Sequence, residues 1–248
     1  MSGAFRVQLP DGRAVDFKIR RSARARAVWL RVNPHEGLVV TAPKDIGLEA
    51  LMDLVHGRSD WIARQWPVLD GIRSRQANSV GSRPDRLELR AIDESWTLEY
   101  QETDHGSASV RIQCAGRLLV RGAPGDPKVC RAALRRWLMS RAREAFAPWL
   151  EELARETGLN YTRLSVRTQR SRWGSCTRQG HISLNAKLLF LPRPQVRYVM
   201  LHELCHTREL NHSPAYWALV RQHEPDLESI RRQMRDAWTL IPHWLDAS

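Results

Sequence analysis

The stretch Val196–Trp217, VRYVMLHELCHTRELNHSPAYW, is where the fold is decided. Val196, Val199, Met200, Leu201 and Leu204 make its first half apolar on most sides, which predicts a buried helix. Residues four apart on a helix share a face, one turn above the other. His202 and His206 therefore aim two imidazoles at one point. Burying two histidines and a glutamate without partners is costly, and a metal ion removes that cost. Zinc accepts N, S or O donors in a tetrahedron and keeps one position for water in a catalytic site. Glu203, one residue past the first histidine, is rotated off the ligand face and could take a proton from that water. A third ligand needs the helix to stop soon. Asn211 suits a left-handed cap, while Ser213 and Pro214 suit the start of the next helix. His212 then falls in a tight corner from which it could reach the ion. Cys205 points off the ligand face and reads as a small buried hydrophobe.

The 248 residues suffice for one large or two modest domains. No apolar run is long enough to span a bilayer, so no membrane partner is expected. The first residues, MSGAFRVQLPDGRAVDF, lack the apolar centre of a signal peptide, which sets the expectation of a cytoplasmic protein. Cys114, Cys130, Cys176 and Cys205 are scattered and read as reduced thiols. The formal net charge is +12, and only Lys18, Lys44, Lys128 and Lys187 are lysines. Two readings stand: a nucleotide or nucleic-acid partner, or a solvated arginine-rich surface.

Alternating runs at Phe5–Leu9, Val15–Ile19, Val28–Val32 and Leu38–Thr41 predict strands. Turn signals lie at Pro10-Asp11-Gly12 and Asn33–Gly37. The basic run Arg20–Arg26 reads as a solvated loop or edge. A helix is expected from about Leu48 to Gln65. Residues 71–86 are polar and rich in Ser, Arg and Gly, as in a linker or long loop. Strand-like runs return at Leu87–Leu89, Trp96–Tyr100, Val110–Ile112 and Leu118–Val120, the pattern of an antiparallel meander. An apolar helical stripe starts after Pro127 and should kink or end at Pro148. A second helical piece runs to Thr157, with Gly158 as its cap. Strands at Leu164–Arg167 and His181–Leu184 precede the histidine helix, and two more helices follow it. The expected organisation is 1–70 (β-hairpins plus a helix), 71–86 (linker), 87–126 (meander) and 127–248 (metal-binding domain).

Three blocks resemble the YgjP-like metallopeptidase family, a relative of the SprT-like and WSS-like zincins. They are Ser171-Arg172-Trp173-Gly174-Ser175-Cys176 followed by His181-Ile182-Ser183-Leu184-Asn185; His202–His206 through Asn211-His212-Ser213 with Tyr216-Trp217; and the N-terminal basic segment and hairpin ending in Thr41-Ala42-Pro43. The resemblance implies an α+β fold, with a zincin-like catalytic domain in the C-terminal half and an antiparallel β-rich region before it. It implies zinc on His202, His206 and His212, with Glu203 as base. The ligand spacing also matches the metzincins, but they carry Gly where this chain has Glu209.

Gly174 and Ser175 could line a cleft if the His181–Asn185 strand is the edge beside the histidine helix, where an extended peptide could add as a further strand. Trp173 reads as a core anchor. Arg170 and Arg172 could hold a substrate carboxylate or phosphate, or simply lie at the surface. His181, Tyr216 and His223 are possible helpers for an oxyanion, and Glu209 could orient a ligand histidine. The expected function is a zinc-dependent peptidase acting on a peptide or protein. The alternatives are hydrolysis of a nucleotide phosphoanhydride at the same metal, and a nucleic-acid-associated SprT-like protease.

Overall fold

The structure is a computed structural model and describes residues 5–23, 25–33, 37–66, 83–103, 106–122, 127–169 and 172–245. The chain has an α+β fold and divides into two compact units, Met1–Val80 and Gly81–Ser248.

In the first unit, β1 (Phe5–Gln8), β2 (Ala14–Arg21), β3 (Trp29–Asn33) and β4 (Gly37–Ala42) form one sheet in the order β1-β2-β4-β3. β1/β2 and β3/β4 are antiparallel hairpins, joined along a parallel β2/β4 pair. Gly12 closes the first hairpin at a φ of 83°, where a side chain would be strained. The inward residues Val7, Val15, Phe17, Leu38 and Val40 form a core with Leu51 and Val55 of α1 (Leu48–His56) and with Ile62 and Trp66 of α2 (described residues 59–66). The single helix expected over 48–65 is thus two, parted where the Gly57 N–H caps α1 on the Asp53 carbonyl. The basic run is not all solvated loop. Arg20 and Arg21 extend β2, and Arg21 Nη1 donates to the carbonyls of Pro43 and Ile46 at 3.0 and 2.6 Å.

The second unit begins with β5 (Arg86–Leu89), β6 (Glu94–Glu102), β7 (Ser109–Cys114) and β8 (Arg117–Gly122), in the order β5-β6-β8-β7. The pairing of β6 with β8 is parallel, which corrects the meander reading. The physical reason is that pairing is decided among strands distant in sequence: β5, β6 and β8 all alternate buried residues (Leu87/Leu89, Trp96/Leu98, Leu118/Val120), whereas β7 is largely exposed and takes an edge. Most of the expected linker, residues 71–82, lies outside the described residues. Its end is tied down, since the Tyr100 hydroxyl donates to the Pro84 carbonyl at 2.6 Å.

α3 (Pro127–Thr157) runs through Pro148 without ending. Leu134, Leu138, Ala142, Phe146, Leu150 and Leu153 form one continuous buried stripe, while Pro148 is exposed. The hydrogen bond that proline removes is therefore lost on the solvent side, where water can serve the freed carbonyl. β9 (Arg163–Arg167), β10 (Gly174–Cys176) and β11 (His181–Asn185) form a second sheet, ordered β10-β11-β9. After it come α4 (Arg193–Cys205), α5 (Pro214–His223) and α6 (Leu227–Arg235). Leu87, Trp96, Leu118, Phe146, Ile182, Leu184, Met200 and Tyr216 share one core. Residues 87–126 and 127–248, read separately from the sequence, are therefore parts of one body. No helix among the described residues is long and apolar enough to cross a membrane.

Candidate metal centre

α4 starts on the Pro192-Arg193-Pro194 run and carries His202 in its last turn. It stops at Cys205, with His206 as its C-cap at a right-handed φ of −68°. The stop is earlier than the expected one at Asn211 and has a different cause. Asn211 has no positive φ, and Thr207 bonds back on the helix, its Oγ1 and N donating to the Leu204 carbonyl at 2.7 and 2.9 Å. α5 restarts where the sequence places it. The Ser213 side chain accepts from the Tyr216 N–H at 3.2 Å, with Pro214 just inside the helix. This short corner brings His212 back to the other two histidines.

One donor atom from each of His202, His206 and His212 lies within 4.8 Å of the others. His202 Nε2 and His212 Nε2 are 3.2 Å apart. Two nitrogens bound to one tetrahedral zinc stand about 3.3–3.4 Å apart, given Zn–N bonds of about 2.0–2.1 Å, so the pair fits an ion with little adjustment. The tautomer of His206 follows from its partner. Its Nδ1 lies 3.0 Å from the Glu209 carbonyl, which can only accept, so Nδ1 carries the proton and Nε2 keeps its lone pair for a metal. Glu209 thus orients a ligand through its backbone rather than its side chain. His202 Nδ1 is buried without a hydrogen-bond partner among the described residues. That ring is set by packing instead. The Tyr216 ring crosses it edge-on at 5.4 Å and stacks on His206 at 4.5 Å. The Trp217 ring lies along His212 at 5.5 Å. Burial, then the neighbouring imidazoles, hold the His202 ring down to about 3, and burial also lowers His212. Both rings are neutral at physiological pH, the form that binds metal.

A family model described as "YgjP-like, metallopeptidase domain" matches residues 26–237. The chain belongs to the YgjP-like family. Two solved structures show a weak likeness. The metallopeptidase zymogen abylysin of Pyrococcus abyssi is 22% identical, with a TM-score of 0.32, over 34% of this chain and 87% of that one. The metallopeptidase zymogen jannalysin of Methanocaldococcus jannaschii is 16% identical, with a TM-score of 0.31, over 34% and 88%. Likenesses this weak say nothing further about this chain. No curated protein matches. Family membership and the three-histidine cluster together make this YgjP-like chain a metal-binding hydrolase.

Glu203 requires a correction. The sequence reading joined it to the histidines as one HExxH unit with Glu203 as general base. The cluster that the fold assembles consists of three histidines and no carboxylate. The Glu203 side chain leaves that face, is buried, and lies against β10. Burial pushes its carboxyl up to about 8, against a smaller opposing pull from the Arg172 guanidinium. Burial thus favours the neutral form of the Glu203 carboxyl.

The strand against which Glu203 lies is the other surprise. β11 is the central strand of its sheet, and the edge beside α4 is β10, so the edge-strand expectation moves from His181–Asn185 to Gly174–Cys176. A Cβ at Gly174 would come within 2.6 Å of Glu203 Oε1 and 2.7 Å of its Cγ. Gly174 is therefore needed for close approach. Ser175 pairs with Ser183 across β10/β11, and Arg172 is exposed at the entry to β10. Arg170 lies outside the described residues. Asn185, unassigned from sequence, anchors this segment: its Nδ2 donates to the carbonyls of Gln169 and Arg172 at 2.8 and 2.9 Å. Trp173 stacks on Trp238 with centroids 3.8 Å apart, as a core anchor. None of the possible oxyanion helpers is placed for that role. The Tyr216 hydroxyl donates to the His202 carbonyl at 3.1 Å, His181 is exposed on β11, and the His223 carbonyl accepts from Arg197.

Proposed function

We propose that this protein is a zinc-dependent peptidase whose ion is held by His202, His206 and His212. The observation that carries the reading is the convergence of three imidazoles, with His202 and His212 at tetrahedral-edge spacing, in a chain of a metallopeptidase family. When bound there, zinc supplies Lewis acidity toward a carbonyl. The free edge of β10 offers backbone N–H and C=O groups to an extended peptide, so substrate adds as a further strand beside the metal. Gly174 and Ser175 line that edge, and Arg172, exposed beside it, takes a substrate carboxylate. Glu203 holds a proton on its carboxyl, gives it to the departing amine nitrogen and recovers the one released by the attacking water, so its carboxyl is unchanged over a turnover.

The test is zinc content and turnover on a mixed peptide library, together with thermal melts with and without added zinc. At about a hundredfold excess of zinc over its Kd, the expected stabilisation is about 2.7 kcal/mol. His202→Ala, His206→Ala and His212→Ala should each remove the zinc-induced shift and the turnover. Glu203→Gln should keep the shift and lose the turnover. Wild-type melting that ignores zinc, or a His212→Ala variant that still responds to it fully, rejects the metal site. Zinc binding with no cleavage of any peptide rejects the peptidase reading.

A further inference from the structure

The first unit presents a face that the metal centre does not use. Its sheet has one side on the core and the other turned outward. The strand register arranges the outward residues in rows. Lys18, Val39 and Arg31 lie side by side across β2, β4 and β3, and Arg20, Thr41 and Trp29 form the next row. Strands are about 4.8 Å apart and alternate residues along one strand about 6.6–6.8 Å. Three cations and an indole thus share a patch on the order of 10 Å across. Trp29 is 67% exposed, although it sits in a sheet whose other large apolar side chains turn mostly inward. Val39, outward on the same row, is only 3% exposed. Among the described outward residues of the four strands, Asp16 is the one carboxylate, and it is ion-paired with Arg6 at 2.7 Å. Glu49, Asp53 and Asp60 are on α1 and α2, the helices that line the core side. Arg64 lies with them on α2, so the helix side carries both signs, while the charged outward residues of the strands are mainly basic.

We propose that this outer face binds single-stranded nucleic acid, with Trp29 stacking on a base and Lys18, Arg20 and Arg31 taking the phosphates. A flat sheet with a solvent-facing aromatic between cations suits unpaired bases, whose π-faces are free to stack. A duplex hides those faces. An anionic membrane calls for a broad apolar surface to insert, and among the described residues the outward side of this sheet exposes one large apolar side chain, Trp29.

The experiment is fluorescence anisotropy of a labelled dT20 strand titrated with the full-length protein, beside its duplex form and phosphatidylserine vesicles. Binding to dT20 on the order of 1–100 μM is expected at moderate salt. Three phosphate contacts at about 0.7 released ions each predict an affinity loss of roughly 20-fold between 50 and 200 mM salt. Trp29→Ala should weaken dT20 binding by roughly 5- to 100-fold. The triple variant Lys18→Glu, Arg20→Glu, Arg31→Glu should abolish it, with zinc content and circular dichroism unchanged in both variants. No anisotropy change at 50 mM salt overturns the proposal. So does binding that survives both variants, equal affinity for the duplex, or tighter binding to the vesicles than to dT20. Should the triple variant fail to fold, Trp29→Ala decides alone, since its exposed ring contributes little to the core.

Discussion

Replacing Gly174 by alanine tests whether β10 and α4 are in contact through the Glu203 side chain. The new Cβ would lie 2.6, 2.7 and 2.9 Å from Glu203 Oε1, Cγ and Cδ. Real Cβ atoms do not approach so closely, so the glutamate must leave or the strand must move. Gly174 has no positive φ, so the cost comes from space alone. Overpacking of this kind costs about 1–3 kcal/mol. In a unit of this size that lowers Tm by roughly 2–12 °C, at about 2–4 °C per kcal/mol. The three nearest atoms all lie beyond Cβ of Glu203. In a Glu203→Ala background, Gly174→Ala should therefore cost close to nothing, giving a coupling of about 1–3 kcal/mol in a double-mutant cycle. The assay is thermal or urea unfolding of the four proteins, with zinc content measured on each. Zinc should stay bound throughout, because the nearest atoms to the added Cβ belong to Glu203 and to none of the three histidines. A Gly174→Ala protein that melts like wild type, or one equally destabilised in both backgrounds, refutes the packing. On the proposed mechanism, turnover falls with the displaced glutamate by about two orders of magnitude, the cost of an ångström-scale misplacement.

Two further outcomes follow from the second unit. Arg141 donates twice to the Glu94 carboxylate, which also accepts from Trp96 Nε1 at 2.9 Å, and these bonds lower the Glu94 carboxyl below its usual 4.5. A depressed carboxyl contributes stability that is present above the unfolded value and declines as pH falls below about 4.5 through the folded one. Glu94→Gln should lower stability at pH 7 by about 1.5–3 kcal/mol, as for bonds to a charged group, and flatten the loss of stability in acid. A wild-type slope in the variant's pH–melting curve excludes the pair as its source. Tyr216→Phe keeps the ring on His206 and removes only the hydroxyl bond to the His202 carbonyl. It should cost about 0.5–1.5 kcal/mol and leave peptide turnover within a few fold; a hundredfold fall in kcat would make the hydroxyl catalytic after all.

The sequence alone picked out the three histidines that the fold brings together, because metal donors are few in kind and helical spacing is rigid. His202 and His206 had to share a face, and Ser213-Pro214 had to begin a helix, leaving His212 in the turn between. Strand positions were legible for the same reason, since alternation is local. Pairing was not. β2/β4 and β6/β8 run parallel, a choice made among all strands at once and not readable from any one of them. Pro148 was misread because a local rule for helix breaking yields when the buried stripe continues past it. Only the tertiary structure decided the surroundings of Glu203. Its backbone position was fixed by neighbouring histidines, but its ionisation depends on burial under a strand far off in the chain, and its room depends on the missing side chain of Gly174. A helix dictates where a side chain starts; the charge that side chain carries is set by what the rest of the fold places over it.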